Sequence, residues 1–248
     1  MNDKKITAMR EGGKILGRLL SDLKAYVKPG MTGKEIDAWV RSEVVKRGAI
    51  VAYDELKEKF PGAICISVNE QIVHGAPTDK PLEEGDVVSF DMVIKYKGYY
   101  TDAAFTMLVG GTGSPAHKRM IAVTESALDA GIAEVRPGAK LGDIGYAVCK
   151  VLTGGHLGVV ENYVGHFIGD KMHLSPDVPN YGRRGHGYAL KVGDTLCIEP
   201  MATLGKAANH IDRDDESGWT VVTNDGSFAC HFEHTVLVTP DGHEILTN

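Results

Sequence analysis

Three landmarks in this 248-residue chain recur at one spacing, and that spacing limits the fold more than any other feature. Val27-Lys28-Pro29-Gly30 returns as Val135-Arg136-Pro137-Gly138, 108 residues further on, and each leads into an amphipathic run. Leu82-Glu83-Glu84-Gly85-Asp86-Val87 returns at the same interval as Leu190-Lys191-Val192-Gly193-Asp194-Thr195. Carried forward, the shift lays Asp91 on Glu199, a carboxylate on a carboxylate. Solenoid units run to about 20–50 residues, so this period is too long for one. The expectation is one domain over 1–248, built from two helix–helix–strand halves at about 1–110 and 111–248. The halves would pack about a pseudo-twofold, merge their sheets into one platform, and set Asp91 and Glu199 face to face near the axis.

Local signals agree with two such halves. Apolar residues at Ile6, Met9, Ile15, Leu16, Leu19, Leu20 and Leu23 follow a helical period that Pro29-Gly30 stops. Thr32, with Glu35 three residues on, matches a capping box and opens a second helix. Its buried face is Ile36, Trp39, Val40, Val44 and Val45, and Gly48 ends it. Ala63 to Asn69 reads as a strand, Ser114 to Val135 and Leu141 to Leu152 as helices, and Phe228 to Val238 as one alternating strand containing Glu233. Val87 to Phe105 reads as a hairpin turning at Tyr96 to Gly98.

Asp91 is the odd residue in that hairpin's apolar first strand. With the turn centred between Tyr96 and Lys97, Asp91 and Asp102 are directly opposed, roughly 4.5–5.5 Å apart at Cβ and on one face. Carboxylates held that close repel unless a proton or a cation lies between them. The bland alternative is a solvated edge hairpin.

Composition narrows the function classes. A net charge of -6 and a pI near 5.9 argue against broad binding to nucleic acid or to anionic membranes. Cys65, Cys149, Cys197 and Cys230 are scattered, with no C-x-x-C pair, and read as reduced core residues. The N-terminus enters an amphipathic pattern rather than an apolar leader, and no apolar run approaches the ~20 residues of a membrane helix. A cytoplasmic monomer is expected.

Further residues fit the same centre. Gly165-His166-Phe167-Ile168-Gly169 offers a glycine-flanked histidine, followed by His173; Ile198-Glu199-Pro200-Met201 and His231-Phe232-Glu233-His234-Thr235 each place a carboxylate at a strand. Asp91, Asp102, Glu199, Glu233 and one histidine form an oxygen-rich donor set that favours Mn, Fe(II), Co or Zn over a thiolate site. Four carboxylates exceed the three protein ligands of one catalytic zinc, whereas two ions about 3.5–4 Å apart can share them. His117, His156, His186, His210, His231, His234 and His243 read as ordinary surface or core histidines, and Trp219 as core packing.

Asp91-x10-Asp102, Gly-His166, Ile-Glu199-Pro-Met and Glu233-His-Thr, in this order and spacing, resemble the methionine aminopeptidases of the type I, bacterial kind. Cys65-Ile66-Ser67-Val68-Asn69-Glu70 and Val73-His74-Gly75 extend the resemblance over nearly the whole chain. It implies an α+β pita-bread (creatinase/aminopeptidase) fold: two pseudo-twofold-related halves forming a curved, mainly antiparallel sheet with helices on its outer face. It implies two divalent cations, one held by Asp91, Asp102 and Glu233, the other by Asp102, His166, Glu199 and Glu233. His74 and His173 would stay off the metals and contact the scissile amide or the tetrahedral intermediate, with Glu199 as proton shuttle. Phe60, Cys65, Met172 and Trp219 would line the side-chain pocket. The implied activity is removal of the N-terminal methionine from nascent polypeptides, near the ribosome, with a small second residue preferred.

Three departures from the family pattern bear on substrate choice. Phe167 stands where the histidine turn usually has glycine, so the turn or the cleft wall should shift. Met172-His173-Leu174 lacks the usual flanking Phe and Glu, which removes a charge near the cleft. Lys57 takes the place of an aromatic pocket residue. Two other functions compete: a broader or Xaa-Pro-type peptidase of the same fold, and a non-enzymatic peptide- or protein-binding member of it. The first usually carries an added N-terminal domain, and the second generally loses ligands.

Overall fold

The protein is described by a computed structural model covering residues 3–56, 59–212 and 215–248; Lys57 and the middle of the acidic loop at 212–216 lie outside the described residues. Four helices form: α1 (Asp3–Tyr26), α2 (Gly33–Lys46), α3 (Pro115–Ala133) and α4 (Leu141–Gly154). Thr32 caps α2 as expected: its N–H donates to Glu35 Oε2 at 2.8 Å, and its hydroxyl accepts from the Glu35 N–H at 3.2 Å. Val45, expected on the buried face of α2, is 66% exposed. Val44 takes the inward position, and the next residue is rotated about 100° away on a helix.

The strands, in chain order, are β1 (Ile50–Val51), β2 (Cys65–Val68), β3 (Gln71–Val73), β4 (Val87–Tyr96), β5 (Tyr99–Leu108), β6 (Gly158–Val159), β7 (Gly165–Phe167), β8 (Leu174–Val178), β9 (Thr195–Ile198), β10 (Met201–Thr203), β11 (Asn209–Ile211), β12 (Val221–Thr223), β13 (Ala229–His231), β14 (Glu233–Thr239) and β15 (Gly242–Ile245). Nine of them make one antiparallel sheet in the order β1-β4-β5-β14-β9-β7-β8, with β2 added on β4 and β15 on β14. The junction lies between β5 and β14, so strands from both ends of the chain form a single curved platform. This is the pita-bread arrangement.

The 108-residue offset reappears in the hydrogen bonds. Gly30 N–H donates to the Leu82 carbonyl at 2.7 Å, and Gly138 N–H donates to the Leu190 carbonyl at 2.8 Å. Leu82 and Leu190 return bonds to Met31 and Ala139, each at 2.8 Å. Glu83 and Lys191 N–H groups each donate to the aspartate three residues on, Asp86 and Asp194, at 2.8 Å. Lys140 N–H donates to Asp143 Oδ2 as Thr32 N–H does to Glu35, again at 2.8 Å. Gly30 and Gly138, at φ 87° and 82°, sit in the left-handed region where glycine carries no Cβ penalty.

The hairpin register differs from the sequence expectation. Lys97-Gly98 is the two-residue turn, with φ 49° and 87°, and Tyr96 pairs with Tyr99. Positive φ at both central residues defines the type I′ turn, whose twist matches the flanking strands. Asp91 therefore faces Ala104, and Asp102 faces Val93. The two aspartates are diagonal rather than opposed, but a shift of two residues keeps them on one face. The expected strand from Phe228 to Val238 also divides. It breaks at Phe232, with β13 pairing to β10 while β14 enters the main sheet.

Helices cover the other face. Met9 and Leu16 of α1 pack with Phe90, Met92 and Ile94 of β4, while Leu128, Ile144 and Val148 of α3 and α4 pack with Leu196 and Val236. A Cβ on Gly13 would lie 2.2 Å from the Leu246 carbonyl oxygen, so glycine is what lets α1 rest against the C-terminal segment. Asp91 and Val93 on β4, and Asp102 on β5, line a cavity instead.

Candidate active site

One row of the sheet carries the site. Cys65 on β2 faces Asp91 on β4, Asp91 faces Ala104 on β5, and Ala104 faces Glu233 on β14. His234 pairs with Ile198, so the same register, carried one residue past the end of β9, sets Glu199 beside Glu233. Strands stand ~4.8 Å apart, and the small side chain of Ala104 leaves open space between the flanking carboxylates. Asp102 borders that space from two residues along β5. Thr235 pins this junction: its hydroxyl donates to the Asp102 carbonyl at 2.8 Å and accepts from the Asp102 N–H at 2.9 Å. Asn180 holds the break after β9 by donating to the Glu199 carbonyl at 2.9 Å.

His166 enters from β7. Its Nδ1 lies 3.1 Å from the Phe167 carbonyl oxygen, which can only accept, so Nδ1 carries the proton. The Nε2 lone pair is left facing Asp102 Oδ2 and Glu199 Oε1, each at 3.7 Å. A lone pair aimed at two carboxylate oxygens is unfavourable unless a cation lies among them. His173 stacks edge-on to His166 with centroids 4.2 Å apart. His74, at φ 58° just after β3, stands edge-on to Tyr163 at 5.7 Å and to Trp219 at 6.1 Å.

The electrostatics tell the same story. Burial pushes Asp91, Glu199 and Glu233 well above the usual carboxylate range and Asp102 up to about 7. Burial also pulls His74, His166 and His173 down to about 4 and His231 to about 3. Asp102 Oδ1 and Glu233 Oε1 are buried and find no hydrogen-bond partner among the described residues. Orphaned carboxylate oxygens beside an outward-facing imidazole lone pair fit a divalent cation. Asp102, His166, Cys197 and Glu233 place one donor atom each within a common 4.8 Å, as do Glu199, His231 and Glu233.

The five sequence-expected residues line one cavity; Asp91 belongs to neither donor group, while Cys197 belongs to the first and His231 to the second. Cys197 and His231 were read as ordinary, although each stands two residues before a carboxylate, Cys197 in β9 before Glu199 and His231 at the end of β13 before Glu233. Beside the carboxylates lies a cavity of about 300 Å³, walled by Tyr53, Phe60, Cys65, Val93, Met172 and Trp219. Phe60 meets Trp219 edge-on at 5.9 Å and Tyr53 at 5.1 Å. Phe60, Cys65, Met172 and Trp219, expected at the pocket, all line this cavity. Tyr53 and Val93 were passed over; Val93 was findable at two residues from Asp91, Tyr53 was not. Phe167 turns into the second core, edge-on to Tyr188 at 5.5 Å, and the pairing of β7 with β8 shifts register between His166 and Phe167.

The model of metallopeptidase family M24 matches residues 7–240. The chain belongs to this family. Among its M24 relatives, "Methionine aminopeptidase 1" of Bacillus subtilis is 40% identical over 239 residues, covering 96% of this chain and 94% of that protein. "Methionine aminopeptidase" of Clostridium perfringens is 40% identical over 246 residues, with coverage of 99% and 97%. The crystal structure of methionine aminopeptidase from Rickettsia prowazekii superposes with a TM-score of 0.95 at 39% identity, covering 100% of this chain and 98% of that one. A prolidase from Pyrococcus horikoshii shares the fold at a TM-score of 0.76 and 20% identity, but this M24 chain spans only 62% of it.

Proposed function

We propose that this metallopeptidase is an aminopeptidase that removes methionine from the N-termini of nascent polypeptides and peptides, using two divalent cations (Co, Mn, Fe(II) or Zn). Asp91, Asp102 and Glu233 would hold one cation, and Asp102, His166, Glu199 and Glu233 the other. The observation carrying this is the junction of the buried, unpaired carboxylates with an apolar, aromatic-walled cavity. An unbranched, polarisable thioether suits such walls, because sulfur makes favourable contacts at ring edges. The names of the full-length relatives at 40% identity support the same substrate.

Cations bound there would lower the pKa of a water and polarise the scissile carbonyl. The protein's own groups do the rest. Asp91, Asp102 and Glu233, by holding one cation, would offer the substrate's free amine a Lewis-acid site, which would restrict cleavage to the first residue. His74 and His173, kept neutral by burial, each have one N–H to offer the carbonyl oxygen as charge develops on it. Glu199, ionised once a cation displaces its proton, is placed to take the proton from the attacking water and pass it to the leaving amine. The pocket's Phe60, Cys65, Met172 and Trp219 receive the methionine side chain, and a small second residue is preferred where the cleft narrows.

Turnover of Met-Ala-Ser, Met-Leu-Ser and Ala-Pro peptides with Mn, Co, Fe(II) and Zn tests the proposal. Metal-dependent release of methionine, at least about tenfold faster from Met-Ala than from Met-Leu, is expected. Preferred cleavage of Ala-Pro would make the chain an Xaa-Pro-type peptidase, and no hydrolysis with any metal would make it a binding protein.

A further inference from the structure

His231 is the one buried histidine at the carboxylate cluster that the proposed ligand set does not use. It ends β13, two residues before Glu233, and its side chain is 2% exposed. Neither ring nitrogen has a hydrogen-bond partner among the described residues. Buried polar atoms are normally paired, and leaving one unpaired is unfavourable. Its Nε2 lies 3.7 Å from Glu199 Oε2 and 4.0 Å from Glu233 Oε2. Those separations are too long for hydrogen bonds. They suit donors sharing an ion, since metal–ligand bonds of about 2.0–2.2 Å set neighbouring donor atoms roughly 3–4 Å apart. His166 stands at the same 3.7 Å from the other oxygen of Glu199, Oε1. Glu199 therefore presents one oxygen to each imidazole.

We infer that His231 is a second imidazole ligand of the centre, binding through Nε2 the cation that Glu199 and Glu233 share. This rests on the metal centre proposed above and adds a nitrogen donor to it. A softer donor set shifts preference among divalent ions toward those that imidazole suits, Zn and Fe(II), and away from Mn. The pairing of Glu199 with His231 also holds the shuttle carboxylate from the side opposite His166.

X-ray absorption of the Co(II)-loaded protein counts imidazoles by their outer-shell scattering, independently of turnover. The expected result is two imidazoles per centre in the wild type and one in His231→Gln, which keeps a neutral polar group of similar reach. The variant should also bind one cation at least about tenfold more weakly in a calorimetric titration, with the Mn-to-Zn affinity ratio moved toward Mn. The wild-type count needs no variant to fold, and His231→Asn gives a second replacement. One imidazole per centre in a wild type that binds cobalt overturns the role of His231 while leaving the centre intact. Two imidazoles in both wild type and variant also overturn it. A wild type that binds no cobalt at these carboxylates overturns the centre and this ligand together.

Discussion

His166 and the two histidines beside it differ in what their ring nitrogens are free to do. A backbone carbonyl fixes the tautomer of His166 and turns its lone pair to the acids, whereas His74 and His173 stand edge-on to neighbouring rings in the cleft. His74→Ala and His173→Ala should therefore each lower kcat about 10²–10³-fold, the usual effect of losing an oxyanion donor, while elemental analysis finds the cation content unchanged. An empty centre in either variant would make that histidine a ligand. The acids give a pH prediction. Only above about pH 7.5 are His74, His166, His173 and His231, lowered from 6.5 by the fold, almost wholly neutral in folded and unfolded chains alike, so there the carboxylates set the slope. Asp102, at about 7, and Asp91, Glu199 and Glu233, held higher than usual, keep protons in the cation-free fold that the unfolded chain has lost. Above that pH the fold binds more protons than the unfolded chain, so stability of the cation-free protein falls as pH rises from about 7.5 to 8.5. Cations must displace those protons, so affinity rises over the same interval and binding releases protons. Calorimetry of Mn(II) binding in buffers of different ionisation enthalpy reads the number released at pH 7; none released would contradict the raised values.

Among the elements, α1 is tightly constrained at a single position, Gly13. Gly13→Ala must displace the backbone at Leu246, and a cost of about 1–3 kcal/mol is expected in chemical denaturation. A change within experimental error would mean that the C-terminal segment yields freely. The helices and the capping box at Thr32 were legible in the sequence because they rest on local periodicity and local hydrogen bonds. The hairpin was legible in its face but not in its register. Turns centred on Tyr96-Lys97 and on Lys97-Gly98 give pairings two residues apart with the same side chains inward, and only the positive-φ requirement chooses between them. The break at Phe232 left no trace in the pattern, since residues on either side of it keep alternating. His231 was passed over for a related reason: its alternation with Glu233 was visible, but the pairing of β13 that carries it to Glu199 is a long-range fact.

For the molecule as a whole, the centre joins the two ends of the chain. Asp91 and Asp102 come from the first hairpin, while His166, Glu199 and Glu233 come from strands more than sixty residues later. The 108-residue offset made that convergence legible before any coordinates, because equivalent strands of a doubled unit meet at their shared axis. The wall provided by Tyr53 was not legible, since no period or motif marks it. Ions that bind only the folded chain stabilise it by mass action, about 2.7 kcal/mol at a concentration 100 times Kd. Thermal unfolding should therefore move upward on adding Mn(II) or Co(II), and the shift should vanish in Asp102→Asn, Glu233→Gln. The most direct measurement is anomalous diffraction from crystals grown with Mn(II). Two peaks about 3.5–4 Å apart, one against Asp91 and the other against His166 with Glu233 reaching both, are predicted. Density with no anomalous peak among Asp91, Asp102, Glu199 and Glu233 would contradict a metal centre at this junction.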